Sequence, residues 1–518
     1  MLESSWLKKT AVARFSKPHL EEALRSYGRT IADLKANPRF DYKEANGVAT
    51  MKVGRISHST AYDYDTSIPL VFHGKWFTPG LNSTPAHQQH VAPTLAKIIG
   101  VPAPAGSEVA ALPILTVDTS KPDIIVVAVI DQGGMMLLNS HASSAPNIHS
   151  LMQKSANMTN TYVGHLDAHT AVGHMAIGTG AYPVKSQVIG NTFFSMEKSG
   201  GKERLTKSEI YATKDETKVS PDELKAESLG DVLNRANNGQ SVIVAQSYAL
   251  RASIGMAGHG AQPFDKAQAP KVSANNYVYW LDATKSKWIT DTRYYALPRV
   301  AAASDVILRY NKFYPHGFEG YQIKNTKSAL EHWGIMMSTP VETQLEGELV
   351  RAVVEQEILG KKKDKDGFTD LVYVSFKSAD AVGHHFGYHS LEAAETLAEI
   401  DKQIAALLQF LRQHYGDNFA FVLTADHGCA PSSEISGGAR LTAEEVIDAI
   451  DTLLPKEIAA DLSLVRFMTV GQISLNHELM QKYNISQAAI VEKIMAIRPD
   501  GKNFFRQVLT RKDLGLGG

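Results

Sequence analysis

The strongest structural signal in the sequence is a run of seven consecutive aliphatic residues, IIVVAVI, at positions 124–130. The run is far shorter than the roughly 20 residues that cross a bilayer, so it predicts a β-strand buried on both faces. Further apolar runs, SVIVAQS, DLVYVSF and FAFVLTAD, are separated by helix-like stretches such as SLEAAETLAEIDKQIAALLQFLRQH. This alternation is typical of a mostly parallel sheet covered by helices. We therefore expect an α/β fold with a doubly wound sheet and helices on both faces.

Two other regions carry weaker signals. Residues 200–365 are more irregular and aromatic, with YVYWLD and KWITDTRYY, and predict an inserted cap beside the sheet. The first forty residues predict helix, because Leu20, Leu24 and Ile31 belong to a set of apolar residues spaced by three and four. GVATMKVG, which follows, predicts a short strand.

The overall charge is nearly neutral, with 53 Lys and Arg residues against 54 Asp and Glu residues. This balance favours neither a nucleic-acid polymer nor a membrane as partner, and no apolar run is long enough to span a bilayer. Cys429 is the single cysteine, so an intrachain disulfide is excluded. The segment MLESSWLKKTAVARF lacks the apolar core of a signal peptide. The compartment and the oligomeric state are left open.

Acidic residues and histidines follow three of the predicted strands. Asp131 ends DIIVVAVID, and FAFVLTADHG carries Asp426 and His427. DLVYVSF runs into KSADAVGHHFG, which contains Asp380 and His384. A single Asp after a strand is usually a helix cap or a loop residue, but ligands of open α/β sheets bind at the carboxyl ends of the strands. Since carboxylate oxygen and imidazole nitrogen are ligands of zinc, the combination predicts a metal site.

The stretch HTAVGHMAIGTGAYPVKSQVIGN supplies a candidate nucleophile, Thr170, ahead of a helix-like run. A threonine at a helix N-terminus is normally a cap. Beside two metal ions the same position favours catalysis, because helix N-terminal amides attract anions and a metal activates a hydroxyl group.

VIDQ, TAVGHMAIGTGAYP, SADAVGHHFG and TADHG jointly resemble the metal-binding and nucleophile motifs of the alkaline phosphatase superfamily. The resemblance is to the bacterial branch with a threonine nucleophile, near the nucleotide pyrophosphatase/phosphodiesterases, and it covers most of residues 122–430. It implies two zinc ions and a phosphothreonine intermediate formed by Thr170. Carried over by motif, one zinc is held by Asp380, His384 and His58, and the other by Asp131, Asp426, His427 and the Thr170 oxygen.

His58 does not stand where this resemblance expects a ligand. The family's last zinc ligand lies near the C-terminus, but the stretch around His477, SLNHELMQKY, does not resemble it. SHSTAYDYDTSIPLVFHG, around His58, does resemble it, and APTLAKIIGVPAPAG resembles the segment that closes the family's chain. We therefore predict a circularly permuted chain. Its parts are residues 1–113, equivalent to the family's C-terminal part, a linker at 114–122, and a main domain at 123–518 with cap insertions within about 200–365.

The phosphoryl-binding residues depart from the resemblance at one position. Asn191 and Arg251 match the family's amide and arginine, but Ala249 stands where monoesterases of this branch carry a lysine. A charge-assisted hydrogen bond contributes roughly 1.5–3 kcal/mol, and a dianionic monoester loses more from its absence than a monoanionic diester. The expected reaction is hydrolysis of small phosphomonoesters. Phosphodiesterase or nucleotide pyrophosphatase activity at the same site is the alternative.

Other relatives differ at the nucleophile. Sulfatases use C/S-x-P-x-R, whereas CAPSS at Cys429 has Ser433 in place of Arg and lies outside the nucleophile position. Cofactor-independent phosphoglycerate mutases use serine, against which Thr170 argues. A non-catalytic metal-binding scaffold is an alternative of another class, although every expected ligand position is filled. The resemblance suggests a periplasmic or secreted protein.

Overall fold

The computed structural model divides the chain into two compact units. One contains residues 1–20 and 38–431, and the other contains residues 21–37 and 432–518. The structure describes residues 10–199, 202–211, 219–262, 264, 275–283, 285–313, 337–457 and 462–513. All predicted site residues lie in the first unit.

The regular elements are numbered along the chain. The strands are β1 Thr10–Ser16, β2 Lys43–Ala45, β3 Val48–Gly54, β4 Leu70–His73, β5 Gly80–Asn82, β6 Ala86–His87, β7 Ile124–Ile130, β8 Ala156–Met158, β9 Thr161–Tyr162, β10 Thr192–Ser199, β11 Lys202–Glu209, β12 Val242–Gln246, β13 Asn275–Asp282, β14 Lys287–Ile289, β15 Asp370–Phe376, β16 Phe419–Ala425, β17 Val465–Met468 and β18 Ile473–Leu475. The helices are α1 Lys17–Ser26, α2 Ile31–Lys35, α3 Asp63–Thr66, α4 Val91–Ile99, α5 Met135–Ser140, α6 Pro146–Lys154, α7 Thr170–Thr179, α8 Pro183–Ser186, α9 Leu229–Ala236, α10 Leu250–Ala257, α11 Arg299–Ala302, α12 Val306–Phe313, α13 Pro340–Val354, α14 Ser378–Phe386, α15 Leu391–Tyr415, α16 Ser433–Ser436, α17 Ala443–Asp451, α18 His477–Lys482 and α19 Gln487–Met495. Among these described helices, none is both long and apolar enough to cross a membrane.

A nine-stranded sheet in the order β14-β13-β12-β15-β7-β16-β4-β8-β5 forms the centre of the first unit. The predicted strands β7, β12, β15 and β16 are parallel neighbours, and all of their residues are buried. Because β15 and β16 flank β7 on opposite sides, the chain winds in both directions from β7. The predicted α/β fold with a mostly parallel sheet is confirmed, and β4 pairs antiparallel with β16 within it.

The structure corrects one part of the predicted cap. YVYWLD belongs to β13, which pairs parallel with β12 inside the main sheet, and KWI forms β14 at the sheet edge. Aromatic residues suit a pleated and buried surface, and Tyr279 and Trp288 are fully or almost fully buried there. The predicted cap is therefore wrong for these two segments, and residues 314–336 lie outside the described residues.

The predicted N-terminal helix is also partly wrong. Residues 10–16 form β1, which pairs antiparallel with β3, the strand predicted from GVATMKVG. Val12 is exposed while Ala13 and Phe15 are buried, a distribution that fits a strand better than a helix. The helical pattern from Leu20 onward is divided into α1 and α2.

Gly173 lets α7 approach the end of β16. A Cβ atom at this position would lie 2.6 Å from the carbonyl oxygen of Asp426 and 2.7 Å from its Cβ atom. Both atoms belong to a residue at the end of a buried strand, so they cannot move away freely. The glycine therefore brings the start of α7, with Thr170, next to Asp426.

Substituting Gly173 by Ala is expected to lower the thermal unfolding midpoint, although alanine is the better helix former. Overpacking a dense core typically costs about 1–3 kcal/mol, which exceeds the helix-propensity gain of about 1 kcal/mol. Differential scanning fluorimetry measures the effect. Gly438→Ala is the control, because a methyl group there meets only Ser436 Oγ, at 3.3 Å. An unchanged midpoint for Gly173→Ala would contradict the close approach.

Candidate metal centre and nucleophile

Three carboxylates meet at the carboxyl ends of adjacent parallel strands. Asp131 follows β7, Asp426 follows β16, and Asp380 lies in the first turn of α14, after β15. Asp131 and Asp426 are fully buried and Asp380 is 6% exposed. Burying carboxylates without cations is strongly unfavourable, so this arrangement requires positive charge nearby.

The first group of predicted ligands gathers around one oxygen of Asp380. His384 Nε2 lies 3.3 Å from Asp380 Oδ1, and His58 Nε2 lies 3.5 Å from the same oxygen. The ring centroids of His58 and His384 are 5.1 Å apart. The structure therefore brings His58 together with the two residues to which the resemblance assigns it.

The second group consists of Asp131, Asp426 and His427. His427 Nε2 lies 3.2 Å from Asp426 Oδ2 and 3.9 Å from Asp131 Oδ1. Within the described part of the chain, Asp426 Oδ2 and His427 Nε2 make no hydrogen bond. The rings of His58 and His427 stack with centroids 3.8 Å apart, so the two groups adjoin.

The tautomers of the three histidines suit metal binding. Each ring places Nδ1 against a backbone carbonyl, which can only accept, so in the neutral ring Nδ1 carries the proton and Nε2 has the lone pair that a metal ion would bind. The contacts are His58 to Ala168 O at 2.7 Å, His384 to Ile56 O at 2.6 Å and His427 to Gly428 O at 3.0 Å. Metal-ligating histidines usually have their second nitrogen oriented in this way. The residues present therefore fit metal ions.

The pKa values show how strongly these charges are coupled. Burial raises the pKa of Asp131 to about 7, and the Asp426 carboxylate adds to the rise. Burial opposes ionisation of His427, but the carboxylates of Asp426, Asp131 and Asp380 together outweigh burial and raise the His427 pKa to about 9. Burial would also raise the pKa of Asp380, yet Lys377 and His384 hold that pKa well below its ordinary value.

His174 was not predicted as part of the site. One of its ring nitrogens lies close enough to Asp131 and Asp426 for the three residues to hold a metal ion. However, Nδ1 donates a hydrogen bond to Thr170 O at 2.8 Å and therefore carries a proton. The same nitrogen lies 3.3 Å from Asp426 Oδ2. Nε2 lies 2.8 Å from Ser375 Oγ. His174 therefore orients Asp426 and does not bind a metal through Nδ1.

Thr170 is the first residue of α7 and is 1% exposed. The N-cap residue is His169, so the simple capping role does not apply to Thr170. Asn191 lies beside it, because Asn191 Oδ1 accepts a hydrogen bond from Ala171 N at 2.9 Å. This bond leaves the Asn191 amide nitrogen as the donor that can reach a substrate.

Arg251 and Ala249 lie at the start of α10. This helix follows β12, whose carboxyl end lies on the same edge of the sheet as that of β15. Ala249 is the N-cap residue and is buried, and Arg251 is half-buried in the first turn. Helix α10 packs against α7, which carries Thr170.

Lys377 is a further residue of the site that sequence reasoning missed. It lies between β15 and α14 and is 3% exposed. Its Nζ atom is 3.0 Å from Asp131 Oδ2, 2.7 Å from Asp380 Oδ2 and 3.3 Å from Thr170 Oγ1. A lysine next to a site motif after a buried strand was the available signal.

A short series of polar contacts supports the loop before Thr170. Ser59 Oγ lies 2.8 Å from His169 Nε2, and His169 Nδ1 contacts Asp167. Ser59 is 1% exposed and has a φ of 93°, a backbone conformation that costs free energy for a non-glycine residue. Since Ser59 is adjacent to His58, these contacts link this predicted ligand to the residue before Thr170.

Comparison with known proteins identifies the family. Residues 125–514 match the family described as type I phosphodiesterase / nucleotide pyrophosphatase. The chain belongs to this family. It is therefore a member of the alkaline phosphatase superfamily and a phosphoester hydrolase, as the motifs predicted.

The curated relatives of this family member are distant. It is 26% identical over 414 residues to a Myroides odoratus protein named calcium-transporting ATPase, covering 72% of each chain. It is 26% identical over 342 residues to alkaline phosphatase PhoV of Synechococcus elongatus, which is 60% of this chain and 59% of PhoV. It is also 26% identical over 347 residues to alkaline phosphatase PafA of Elizabethkingia meningoseptica, 60% and 61% of the two chains. The chain thus spans about three fifths of the length of both phosphatases.

A solved structure agrees on the fold. The crystal structure of wild-type alkaline phosphatase PafA superimposes with a TM-score of 0.58 at 21% identity, covering 73% of this chain and 76% of PafA. At 21% identity, this similarity supports the α/β fold of the present chain and assigns no function to individual residues.

Replacing His58 by Ala is expected to weaken binding of one metal ion at least about 100-fold, since even outer-shell changes typically cost about 10–100-fold in affinity. Atomic absorption after equilibration with zinc and dialysis measures the metal bound per chain. His477→Ala is the control, because His477 is exposed and belongs to neither ligand group. Equal metal content in the His58 variant and the wild type would contradict the ligand assignment.

Proposed function

We propose that this protein is a two-zinc phosphomonoesterase that uses Thr170 as its nucleophile. The observation that carries the proposal is the position of the Thr170 hydroxyl, at the buried N-terminus of α7. It contacts the same ammonium group, that of Lys377, as one carboxylate from each ligand group. The named relatives PhoV and PafA are alkaline phosphatases, and the family is defined by phosphoester chemistry.

Each group of ligands would hold one zinc ion. His58, Asp380 and His384 form the first group, and Asp131, Asp426, His427 and the Thr170 oxygen form the second. Two bound metal ions would stabilise charge on both the attacking and the leaving oxygen of an in-line displacement. Zinc suits the mixture of carboxylate oxygen and imidazole nitrogen in both groups.

The protein groups have distinct tasks in this reaction. Thr170 Oγ attacks phosphorus opposite the ester oxygen, so that the Oγ–P bond forms, the P–O ester bond breaks and the alcohol departs. The positive N-terminal end of α7 favours the phosphoryl anion. Asn191, whose oxygen is held by the Ala171 amide, would donate its amide nitrogen to the phosphoryl group. Water then attacks the phosphothreonine, which releases phosphate and restores the Thr170 hydroxyl.

A phosphodiesterase is the second candidate, and Ala249 is the observation that favours it. The residue buries only a methyl group where a phosphoryl-binding lysine is expected from the resemblance. A diester carries one negative charge less than a dianionic monoester and therefore depends less on an additional cation. A metal-binding scaffold is the third candidate, and it predicts bound zinc without turnover that requires Thr170.

We also propose that the chain is circularly permuted relative to its family. His58 lies outside the residues that match the family, yet its Nε2 is 3.5 Å from Asp380 Oδ1. The strand that follows, β4, pairs with β16 within the main sheet. Residues 1–113 thus contribute a proposed ligand and a strand inside the main sheet, which a simple N-terminal extension would not supply.

Replacing Thr170 by Ala is expected to lower turnover of p-nitrophenyl phosphate at least about 10³-fold, because the loss of a nucleophile is among the largest single-residue effects. Steady-state rates of the wild type and the variant are measured in the presence of zinc, with p-nitrophenyl phosphate as the monoester and bis-p-nitrophenyl phosphate as the diester. Thr170→Ser should retain part of the activity, and Thr179→Ser, farther along α7, is the matched control. A faster diester favours the phosphodiesterase, and turnover that does not require Thr170 contradicts the mechanism.

A superposition on PafA that ignores chain order tests the permutation. Residues 45–113 are expected to align with the C-terminal segment of PafA and to superimpose His58 on a histidine of that segment. Coverage should rise above 73% of this chain. If residues 45–113 match no segment of PafA, the chain is not permuted.

A further inference from the structure

Lys377 places a positive charge inside the proposed metal centre. It is 3% exposed, and its ammonium group contacts Asp131, Asp380 and the Thr170 hydroxyl at 3.0, 2.7 and 3.3 Å respectively. A buried ammonium group is retained only when close partners compensate for lost hydration. Here those partners are two carboxylates and the proposed nucleophile, so the lysine belongs to the reacting centre.

The contacts of Asp380 leave room for a metal ion and the lysine together. Oδ1 faces the two histidines, with His58 Nε2 at 3.5 Å and His384 Nε2 at 3.3 Å. Oδ2 faces Lys377 at 2.7 Å. A metal ion on the histidine side and an ammonium group on the other side would therefore use different oxygens of one carboxylate.

Lys377 also lies beside the position of the missing lysine. The buried carboxylate of Glu346 accepts hydrogen bonds from Tyr248 N at 3.3 Å and from Lys377 N at 3.2 Å. Tyr248 immediately precedes Ala249, so Glu346 holds the two loops next to each other. The cation absent at Ala249 can thus be supplied from the neighbouring strand end.

We propose that Lys377 is a catalytic residue that binds a non-bridging phosphoryl oxygen during transfer to Thr170, in place of the lysine absent at position 249. The proposal rests on the proposed function. The ammonium group lies within hydrogen-bonding distance of the oxygen that attacks phosphorus. It therefore donates to an oxygen of the incoming phosphoryl group while its remaining hydrogens stay on Asp131 and Asp380.

The proposal distinguishes a substrate-binding cation from a substitute for a metal ion. A substitute would exclude one zinc ion, and removing it would raise the zinc content. A phosphoryl-binding cation leaves zinc content unchanged and affects anions in proportion to their charge. The affinity for inorganic phosphate therefore tests whether Lys377 binds the phosphoryl group, and the metal content per chain tests whether it replaces a metal ion.

The test compares Lys377→Met with the wild type, both saturated with zinc. Inorganic phosphate should bind about 10- to 100-fold more weakly to the variant, the range for one charge-assisted hydrogen bond. Its kcat/KM should fall more for p-nitrophenyl phosphate than for bis-p-nitrophenyl phosphate, while bound zinc stays the same. Lys402→Met is the matched control, because the Lys402 side chain is 66% exposed and pairs with Glu399 on the surface.

The double variant Lys377→Met/Ala249→Lys tests the substitution directly. It should regain at least about tenfold in phosphate affinity over Lys377→Met, within the same range for one hydrogen bond. Unchanged phosphate affinity in Lys377→Met, or a gain of zinc by that variant, would overturn the proposal.

Should Lys377→Met fail to fold, a crystal structure of the wild type with zinc and phosphate decides. Nζ should then lie within hydrogen-bonding distance of a phosphate oxygen, and contacts to carboxylates alone would refute the proposal.

The outcome separates this proposal from the proposed function. Turnover that requires Thr170 but is unaffected by Lys377→Met would overturn only the role of Lys377. Turnover that does not require Thr170 would overturn the function itself, whatever the lysine variant shows.

Discussion

Burial of three carboxylates at adjacent strand ends is the constraint on which the rest of the site depends. Asp131, Asp380 and Asp426 cannot remain ionised in the interior unless donors and cations surround them. Backbone amides satisfy part of this requirement, since Asp426 Oδ1 accepts from the amides of Gln132 and His427, both at 2.9 Å. The histidines and Lys377 are arranged around the remaining oxygens. This concentration of charge is possible because β7, β15 and β16 are parallel and therefore end at the same edge of the sheet.

The N-terminal segment supports this site through its backbone as well as through His58. Asp65 O accepts a hydrogen bond from Gly428 N at 2.7 Å, and Tyr64 O accepts one from Cys429 N at 3.0 Å. A Cβ atom at position 428 would lie 2.1 Å from Tyr64 O, so glycine is required for this close approach. The loop after β16 is therefore held in place by a segment that precedes it by more than 350 residues.

The central fold could be predicted because strands buried on both faces appear as continuous apolar runs, which mark β7, β12, β15 and β16. The residues at their carboxyl ends follow directly from that topology. Strand β13 was misassigned because its aromatic residues indicate burial without saying in which sheet. Lys377 was missed although it directly follows a buried strand and precedes a site motif, because a lysine buried by tertiary contacts looks in sequence like one in solvent, and the same is true of the histidine His174. Family motifs, and not periodicity, brought His58 into the site.

The position of His58 has a consequence for how the protein is made. Translation produces this ligand first, and Asp426 and His427 come last among the proposed ligands. Domains commonly begin to fold during synthesis, but here the complete ligand set exists only after residue 427 has left the ribosome. Until then the nascent chain carries a histidine and buried-strand segments without their final partners. Capture of the proposed metal ions therefore has to follow the synthesis of β16, the last strand of the main sheet along the chain.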